Sequence, residues 1–255
     1  MKVSSFVMTA VGMLLLARPA LASITYDANV TPDVIFGSGN ANGSFTVDQN
    51  NGIELGLRAK LRHNASGLPE NTFNSNGDGT YSFDAGVAPT QSFPTAVWSF
   101  EWSINSDFDG NGLSLKNDTF FYELSIDTDP GIGTSFIAFD PINIGFADHA
   151  IGNNSTGNGA GSVAADATEY AALIANNNVA QNSWKPHWVN PGFNPTVAGT
   201  YDFVLSAVDD SGTRASTSIQ VIVGAVPEPA ALFTWAGLAL CGCACVWWRK
   251  KQQVD

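Results

Sequence analysis

Short stretches in which apolar and polar residues alternate run through most of the chain. They lie at residues 44–48, 53–57, 98–104, 122–126 and 218–223. A period of two is typical of strands that bury one face, and the Asn, Gly and Asp clusters between the stretches are typical of turns. The pattern predicts a mostly β fold, an antiparallel β-sandwich or jelly-roll-like domain, because many short strands with frequent turns build these architectures.

Two local signals refine this prediction. Residues 50–52 (Asn-Asn-Gly) separate two alternating stretches and predict a tight hairpin turn. Asp166 followed by Glu169 has the spacing of a helix capping box. The helix that we expect after it has an apolar face made of Tyr170, Ala171, Leu173 and Ile174. We therefore expect one short helix in an otherwise β domain.

Composition excludes some classes of function. The chain has 255 residues, a net charge of −12 and only 13% charged residues. A nucleic-acid-binding protein that relies on a basic face is excluded, because little positive charge is present. Residues 23–226 hold six basic and 21 acidic residues, a net charge of −15. This charge favours solubility and cations over anionic polymers.

The N-terminal segment 1–22 has the pattern of a secretory signal peptide. Lys2 precedes an apolar run over residues 7–17, and the triplet 20–22 (Ala-Leu-Ala) fits a cleavage site. An N-terminal membrane anchor is the alternative, but the run is about half the ~20 residues that span a bilayer. We expect residues 23–225 to form one exported domain. It contains no cysteine and so no disulfide bond, because all three cysteines lie at Cys241, Cys243 and Cys245.

The C-terminal segment 226–255 has three parts. Residues 226–229 include Pro227, Glu228 and Pro229, residues 230–248 carry no charge, and residues 249–255 begin with Arg249, Lys250 and Lys251. The uncharged part predicts a transmembrane helix, since its length matches the ~30 Å hydrocarbon core. The basic residues would hold the tail in the cytoplasm. Proline keeps the triplet extended and accessible, as a processing site requires.

This tripartite end resembles the PEP-CTERM sorting signal of Gram-negative bacteria. The resemblance rests on Pro227, Glu228 and Pro229, the apolar span 230–248 and the basic cluster 249–251. It implies recognition by an exosortase, sorting to the cell envelope or exterior, and a role in the exopolysaccharide matrix. Segments 139–143, 147–152 and 178–184 also resemble other proteins of this kind. A permanent single-pass anchor is the alternative.

A second resemblance concerns residues 199–212 and the expected last strand, 215–223. They are similar to the closing strands of PKD-type and other immunoglobulin-like domains. The resemblance implies that Tyr201, Phe203 and Leu205 face the core and that residues 209–212 turn the chain. It supports a fold and carries no function.

Residues 107–118 have the ligand spacing of a calcium loop. Asp107, Asp109 and Asn111 occupy positions 1, 3 and 5, and Asp118 occupies position 12. Oxygen ligands at this spacing can converge on calcium. Asp in place of Glu at position 12 and flanking strands in place of helices depart from the EF-hand pattern. The alternative is a solvated turn. Segment 74–79 has a similar start without a ligand at position 12.

Two further patterns bear on carbohydrate chemistry. In a symmetric hairpin Glu101 would lie opposite Glu123, and paired carboxylates serve glycosidases. We favour two solvated carboxylates on an exposed face, because a one-residue slip separates them. Trp184 and Trp188 lie in a less regular segment and are candidate glycan-binding residues, whereas Trp98, Phe100 and Trp102 alternate and are expected in the core.

No motif specifies a reaction. His63, His149 and His187 are scattered, no Gly-x-Ser-x-Gly occurs, and the glycine-rich run 152–161 lacks the basic residue that a phosphate needs. We therefore expect an exported protein with a structural or interaction role, without catalysis and without a required cofactor. The alternatives are a glycan-binding or glycan-cleaving jelly roll and a calcium-dependent adhesion module.

Overall fold

The computed structural model describes residues 24–224, which form two β-sheets around one apolar core. The strands are β1 (Thr25–Ala28), β2 (Phe45–Asn50), β3 (Ile53–Leu61), β4 (Thr80–Phe83), β5 (Trp98–Asn105), β6 (Phe121–Asp127), β7 (Phe136–Phe139), β8 (Ala150–Gly152), β9 (Val179–Trp184), β10 (Gly199–Asp209) and β11 (Gly212–Val223). The helices are α1 (Ala167–Asn176) and a single turn, α2 (Pro186–Val189). The prediction of a mostly β fold is confirmed.

The two sheets differ in pairing. The six-stranded sheet has the order β1-β2-β3-β5-β9-β8, and all its pairs are antiparallel. The five-stranded sheet has the order β4-β11-β10-β6-β7 and is mixed, because β4 pairs with β11 in parallel. The long hairpin β10–β11 is the centre of this sheet.

The core lies between the sheets and is rich in aromatic side chains. The Phe100 and Phe203 ring centroids are 4.5 Å apart. Trp98 makes edge-on contacts with Phe193 and Phe203, at ring centroid distances of 6.0 and 6.1 Å. The predicted core residues Trp98, Phe100, Trp102, Tyr201, Phe203 and Leu205 are all buried. Alternation along β5 and β10 therefore located the inward faces correctly.

The two local predictions are also confirmed. Asn51 and Gly52 both have positive φ, 52° and 78°, which is the backbone that a two-residue hairpin between β2 and β3 requires. Asp166 caps α1 by accepting hydrogen bonds from the Thr168 and Glu169 N–H groups. The Glu169 carboxylate in turn accepts from the Ala165 N–H at 2.7 Å.

A cover segment, residues 29–43, lies over the outer face of the six-stranded sheet. Val30 and Val34 pack on Phe45 and Val47 of β2. Gln181 of β9 accepts from the Ile35 N–H and donates to the Asp33 carbonyl, both at 2.8 Å. Because of this cover, every residue of β5 is buried, on both faces of the strand.

The glycine in the middle of β3 follows from the same packing. A Cβ at Gly56 would lie 2.6 Å from Val30 Cγ1, closer than any real contact. Gly56 therefore lets the cover segment approach the sheet.

Arg58 of β3 and Glu101 of β5 form an ion pair beneath the cover. The Arg58 Nη2 to Glu101 Oε2 distance is 2.6 Å, and both side chains are fully buried. Arg58 Nη1 also donates to the Ala41 and Gly43 carbonyls at 2.9 and 2.7 Å. The guanidinium lies between the rings of Phe45 and Phe73, 4.1 and 4.2 Å from their centroids. Arg58 thus joins two strands to the cover segment.

The predicted juxtaposition of Glu101 and Glu123 is wrong. β5 and β6 do not form a hairpin, because the chain between them crosses from one sheet to the other. Glu123 lies exposed on β6, opposite Ser206 of β10. The interpretation of Glu101 as a solvated carboxylate is wrong as well, since the cover segment buries it against Arg58.

The targeting predictions concern other parts of the chain. Segments 1–22 and 226–255, including the expected transmembrane helix 230–248, lie outside the described residues. Between residues 24 and 224, no helix is both long and apolar enough to cross a bilayer.

We expect Arg58→Ala to lower the free energy of unfolding by about 3–5 kcal/mol, because it leaves Glu101 buried without its partner. Urea denaturation measures this loss. Arg214→Ala is the matched control, since its ion pair with Asp209 at 2.9 Å is partly exposed. The control should lose about 1 kcal/mol or less. Equal losses in the two variants would contradict the proposed importance of the buried pair.

Candidate functional site

A groove with a volume of about 510 Å³ runs along the outer face of the five-stranded sheet. Four separate segments of the chain line it: the start of the described chain, the turn before β4, the entry to β7, and the centre of the hairpin β10–β11. The lining residues are Ile24, Tyr26, Asp78, Gly79, Thr80, Thr134, Phe136, Asp202, Val204, Ser218, Ile219 and Gln220.

Two aromatic rings form opposite sides of the groove. Tyr26 belongs to β1, the edge strand of the other sheet, and Phe136 begins β7. Each is 45% exposed. A Cβ at Gly79 would lie 2.9 Å from Tyr26 Cε1, so the glycine allows the tyrosine ring to rest against the turn before β4. Exposed aromatic faces of this kind suit a ligand that is built of ring-shaped units.

The strand period places polar side chains in the floor of the groove, next to the apolar Val204 and Ile219. Tyr201, Phe203 and Leu205 point into the core, so the residues between them point outward. Asp202 Oδ1 accepts from Gln220 Nε2 at 2.9 Å, across the two strands. Asp202 and Gln220 thus present oxygen and nitrogen atoms between the two rings.

Asp78 adds a carboxylate at the rim. Its Oδ1 accepts from the Thr80 hydroxyl at 2.7 Å and from the Thr80 N–H at 3.0 Å. The hydrogen bond from the Thr80 hydroxyl, and to a smaller extent the one from the Thr80 N–H, lowers the pKa of Asp78. The carboxyl group is therefore ionised and accepts hydrogen bonds. A general acid needs the opposite shift.

Carboxyl groups with a raised pKa lie away from the groove. Burial raises the pKa of Asp48 and of Glu54, in the strands next to the cover segment. Asp48 accepts from the Ser216 N–H, and Glu54 accepts from Gln49 and from the Thr31 N–H. Their hydrogen bonds join parts of the fold to each other, so these two groups are structural.

The two predicted glycan-binding tryptophans have different environments. Trp184 ends β9 and packs against Phe100, Trp102, Phe139 and His149, at ring centroid distances of 5.5–6.0 Å. It is half-buried and serves the core. Trp188 lies on α2 and is 55% exposed. Only Trp188 is therefore free to contact a ligand through most of its ring.

The structure places three of the four predicted calcium ligands in one turn and the fourth in a separate depression. Both oxygens of Asp107 accept from the Gly112 N–H at 3.0 Å, and Oδ1 also accepts from the Asn111 N–H. Asp109 and Asn111 lie beside Gly52, in the turn between β2 and β3. Asp118 lines a separate depression with Asp209 and Asp210. Within residues 24–224, no group of three or more His, Cys, Asp or Glu side chains could hold a metal ion.

Sequence reasoning did not identify the groove. Asp78 was noticed only as part of the weaker calcium-like segment 74–79, which forms the turn before β4. Tyr26 and Phe136 lie in four-residue strands, too short to show a clear period. The outward positions of β10 and β11 were the one available signal, because alternation already assigned the inward ones.

Comparison with known proteins identified no relative. No family model, no curated protein and no solved structure matches the chain.

We expect Asp107→Ala to lower the free energy of unfolding by about 1–2 kcal/mol, because backbone N–H groups lose their acceptor. Asp109→Ala is the matched control. Asp109 is exposed, so its removal should change stability by less than about 0.5 kcal/mol. Millimolar calcium should leave the thermal midpoint of both variants and of the parent unchanged. A rise with calcium that Asp107→Ala abolishes would restore the calcium site.

Proposed function

We propose that the chain is an exported β-sandwich protein that binds polysaccharide in the extracellular matrix, without catalysis. A signal peptide at residues 1–22 and a PEP-CTERM signal at residues 226–255, with a transmembrane helix at 230–248, would direct its export and sorting. The groove between Tyr26 and Phe136 carries the binding part of the proposal.

The groove favours a neutral glycan. The C–H face of a sugar ring packs on an aromatic face, and its hydroxyls donate to carboxylates and accept from amides. Tyr26 and Phe136 supply the first kind of contact, and Asp78, Asp202 and Gln220 the second. None of the lining residues is basic. Two carboxylates without a cation would repel an anionic sugar.

Binding is favoured over cleavage by the state of the carboxylates. A glycosidase needs one carboxyl held protonated near neutral pH as well as one ionised. Asp78 is shifted toward the ionised form, and the carboxyls that burial shifts the other way, Asp48 and Glu54, lie elsewhere. A glycan-cleaving protein therefore has less support from this groove than a glycan-binding one.

We expect Tyr26→Ala and Phe136→Ala each to weaken binding to a neutral glucan about ten-fold or more, since a buried aromatic contact contributes about 2 kcal/mol. A glycan array identifies the glucan, and affinity electrophoresis through it measures the loss. Phe121→Ala is the matched control: Phe121 is 50% exposed on the same sheet but outside the groove. Silence on the array, or equal losses in all three variants, would contradict the proposal.

We expect the exported protein to lack both targeting segments. Mass spectrometry of protein purified from the cell surface or medium should find an N-terminus near Ser23 and no peptide from residues 249–255. Replacing Glu228 by Ala should leave the precursor in the membrane with its C-terminus intact. An intact tail on exported parent protein would contradict sorting by cleavage.

A further inference from the structure

Two interior strands of the six-stranded sheet, β3 and β9, end on the same side of the sheet, and basic residues follow both of them. We refer to this side, where the two strands end, as an edge. β3 and β9 are both antiparallel to β5, so they run in the same direction on its two sides. Arg62 and His63 directly follow β3, and Lys185 directly follows β9. The chain then enters α2, which carries His187 and Trp188.

The strand period places the basic side chains on one face. Leu61 and Trp184 point into the core, so their neighbours Arg62 and Lys185 point to the outer face. One strand, β5, lies between β3 and β9, so the two strands are about 10 Å apart. Long basic side chains that follow them can reach the same ligand across this distance. Burial lowers the pKa of Lys185, and the positive charge of Arg62 lowers it further by a smaller amount. The pKa of His187 is lowered by burial and then by Lys185.

This face collects most of the positive charge of the described residues. Residues 24–224 contain six Lys and Arg, and four of them, Arg58, Lys60, Arg62 and Lys185, lie on it. Arg58 is neutralised by Glu101, and Lys60 is buried and donates to Asn40. The described part of the chain has two ion pairs, and neither involves Arg62 or Lys185. These two half-exposed cations form an uncompensated pair.

Acidic groups near this edge do not cancel the charge. Glu70 lies on the loop after β3, and its N–H donates to the Leu61 carbonyl at 3.4 Å. Its side chain is exposed and forms no ion pair with Arg62 within the described residues. Asp84 lines the same depression as Glu70 and His63, and it forms no ion pair with Arg62 or Lys185 within the described residues. Both cations therefore keep their charge free for a ligand.

An exposed ring lies beside the cations. Lys185 Nζ is 5.4 Å from the centroid of the Trp188 ring, and the His187 ring is 6.1 Å from it. The basic edge, which we define as Arg62, Lys185, His187 and Trp188, combines an aromatic platform with positive charge. A ligand that matches it has a ring with a C–H face and an anionic group.

We propose that the basic edge binds a carboxylate-bearing polysaccharide, a polymer of uronic acid residues. Each uronate ring offers one face to Trp188 and one carboxylate to Arg62 or Lys185. Duplex nucleic acid fits less well, because it carries about one charge per 1.7 Å and the surrounding domain is negative. This site is on the other sheet from the groove and takes the opposite charge of ligand, so it goes beyond the proposed function.

The test is affinity electrophoresis of the purified full-length protein through gels that contain polygalacturonate. Arg62→Gln and Lys185→Gln should each weaken binding about two- to five-fold, as expected for one exposed ion pair. Trp188→Ala should weaken it further, and Lys185→Arg should bind like the parent. Added salt should weaken binding of the parent more than binding of the Arg62→Gln variant, which has one charge fewer.

Lys116→Gln is the matched control, because Lys116 is exposed and lies outside the basic edge. It should bind polygalacturonate like the parent. No retardation by polygalacturonate, or equal losses in Lys116→Gln and Lys185→Gln, would overturn the proposal. Tyr26→Ala changes the groove only, so it should leave polygalacturonate binding intact. The proposal for the groove and the proposal for the basic edge can therefore fail independently of each other. Thermal unfolding of each variant checks that the fold is retained.

Discussion

The buried ion pair between Arg58 and Glu101 is the interaction on which the arrangement of the six-stranded sheet depends. It joins the two central strands, and Arg58 reaches past Glu101 to the carbonyls of Ala41 and Gly43. Desolvating two charges is unfavourable, and here their mutual attraction and the further hydrogen bonds of Arg58 offset that cost. The cover segment provides carbonyl acceptors for Arg58, and the rings of Phe45 and Phe73 enclose the guanidinium from its two sides. The central strands β3 and β5 are thereby buried on both faces without a layer of helices.

This second buried face marks the limit of what the strand period predicts. Alternation in β5 correctly assigned Trp98, Phe100 and Trp102 to the core, and the turn at 50–52 and the cap at Asp166 followed from local chemistry. The polar positions of β5 were interpreted as solvated, because a polar residue between apolar ones is normally exposed. The cover segment has no regular period of its own, so nothing in the pattern indicated that Glu101 would be buried.

Net charge alone does not decide which ligands each face of the domain would take. A charge of −15 over residues 23–226 argues against anionic ligands only if the charges are mixed. Here acidic groups occur in loops and on strands of both sheets, while four of the six basic groups in residues 24–224 share one sheet face. At physiological ionic strength, charges more than about 8 Å apart are largely screened. A ligand at this face therefore senses Arg62 and Lys185 more than the distant carboxylates.

The groove illustrates a different limit, since it depends on contacts between residues far apart in the chain. β4 and β11 pair in parallel, which sets Thr80 beside Gln220. That pairing brings the turn at 78–80 to the outward residues of the hairpin β10–β11, and Gly79 then admits the ring of Tyr26 from the other sheet. Each of these residues is unremarkable within its own segment. Their common property, a place in the lining of one groove, arises only when the strands pair, so a motif search has nothing to detect.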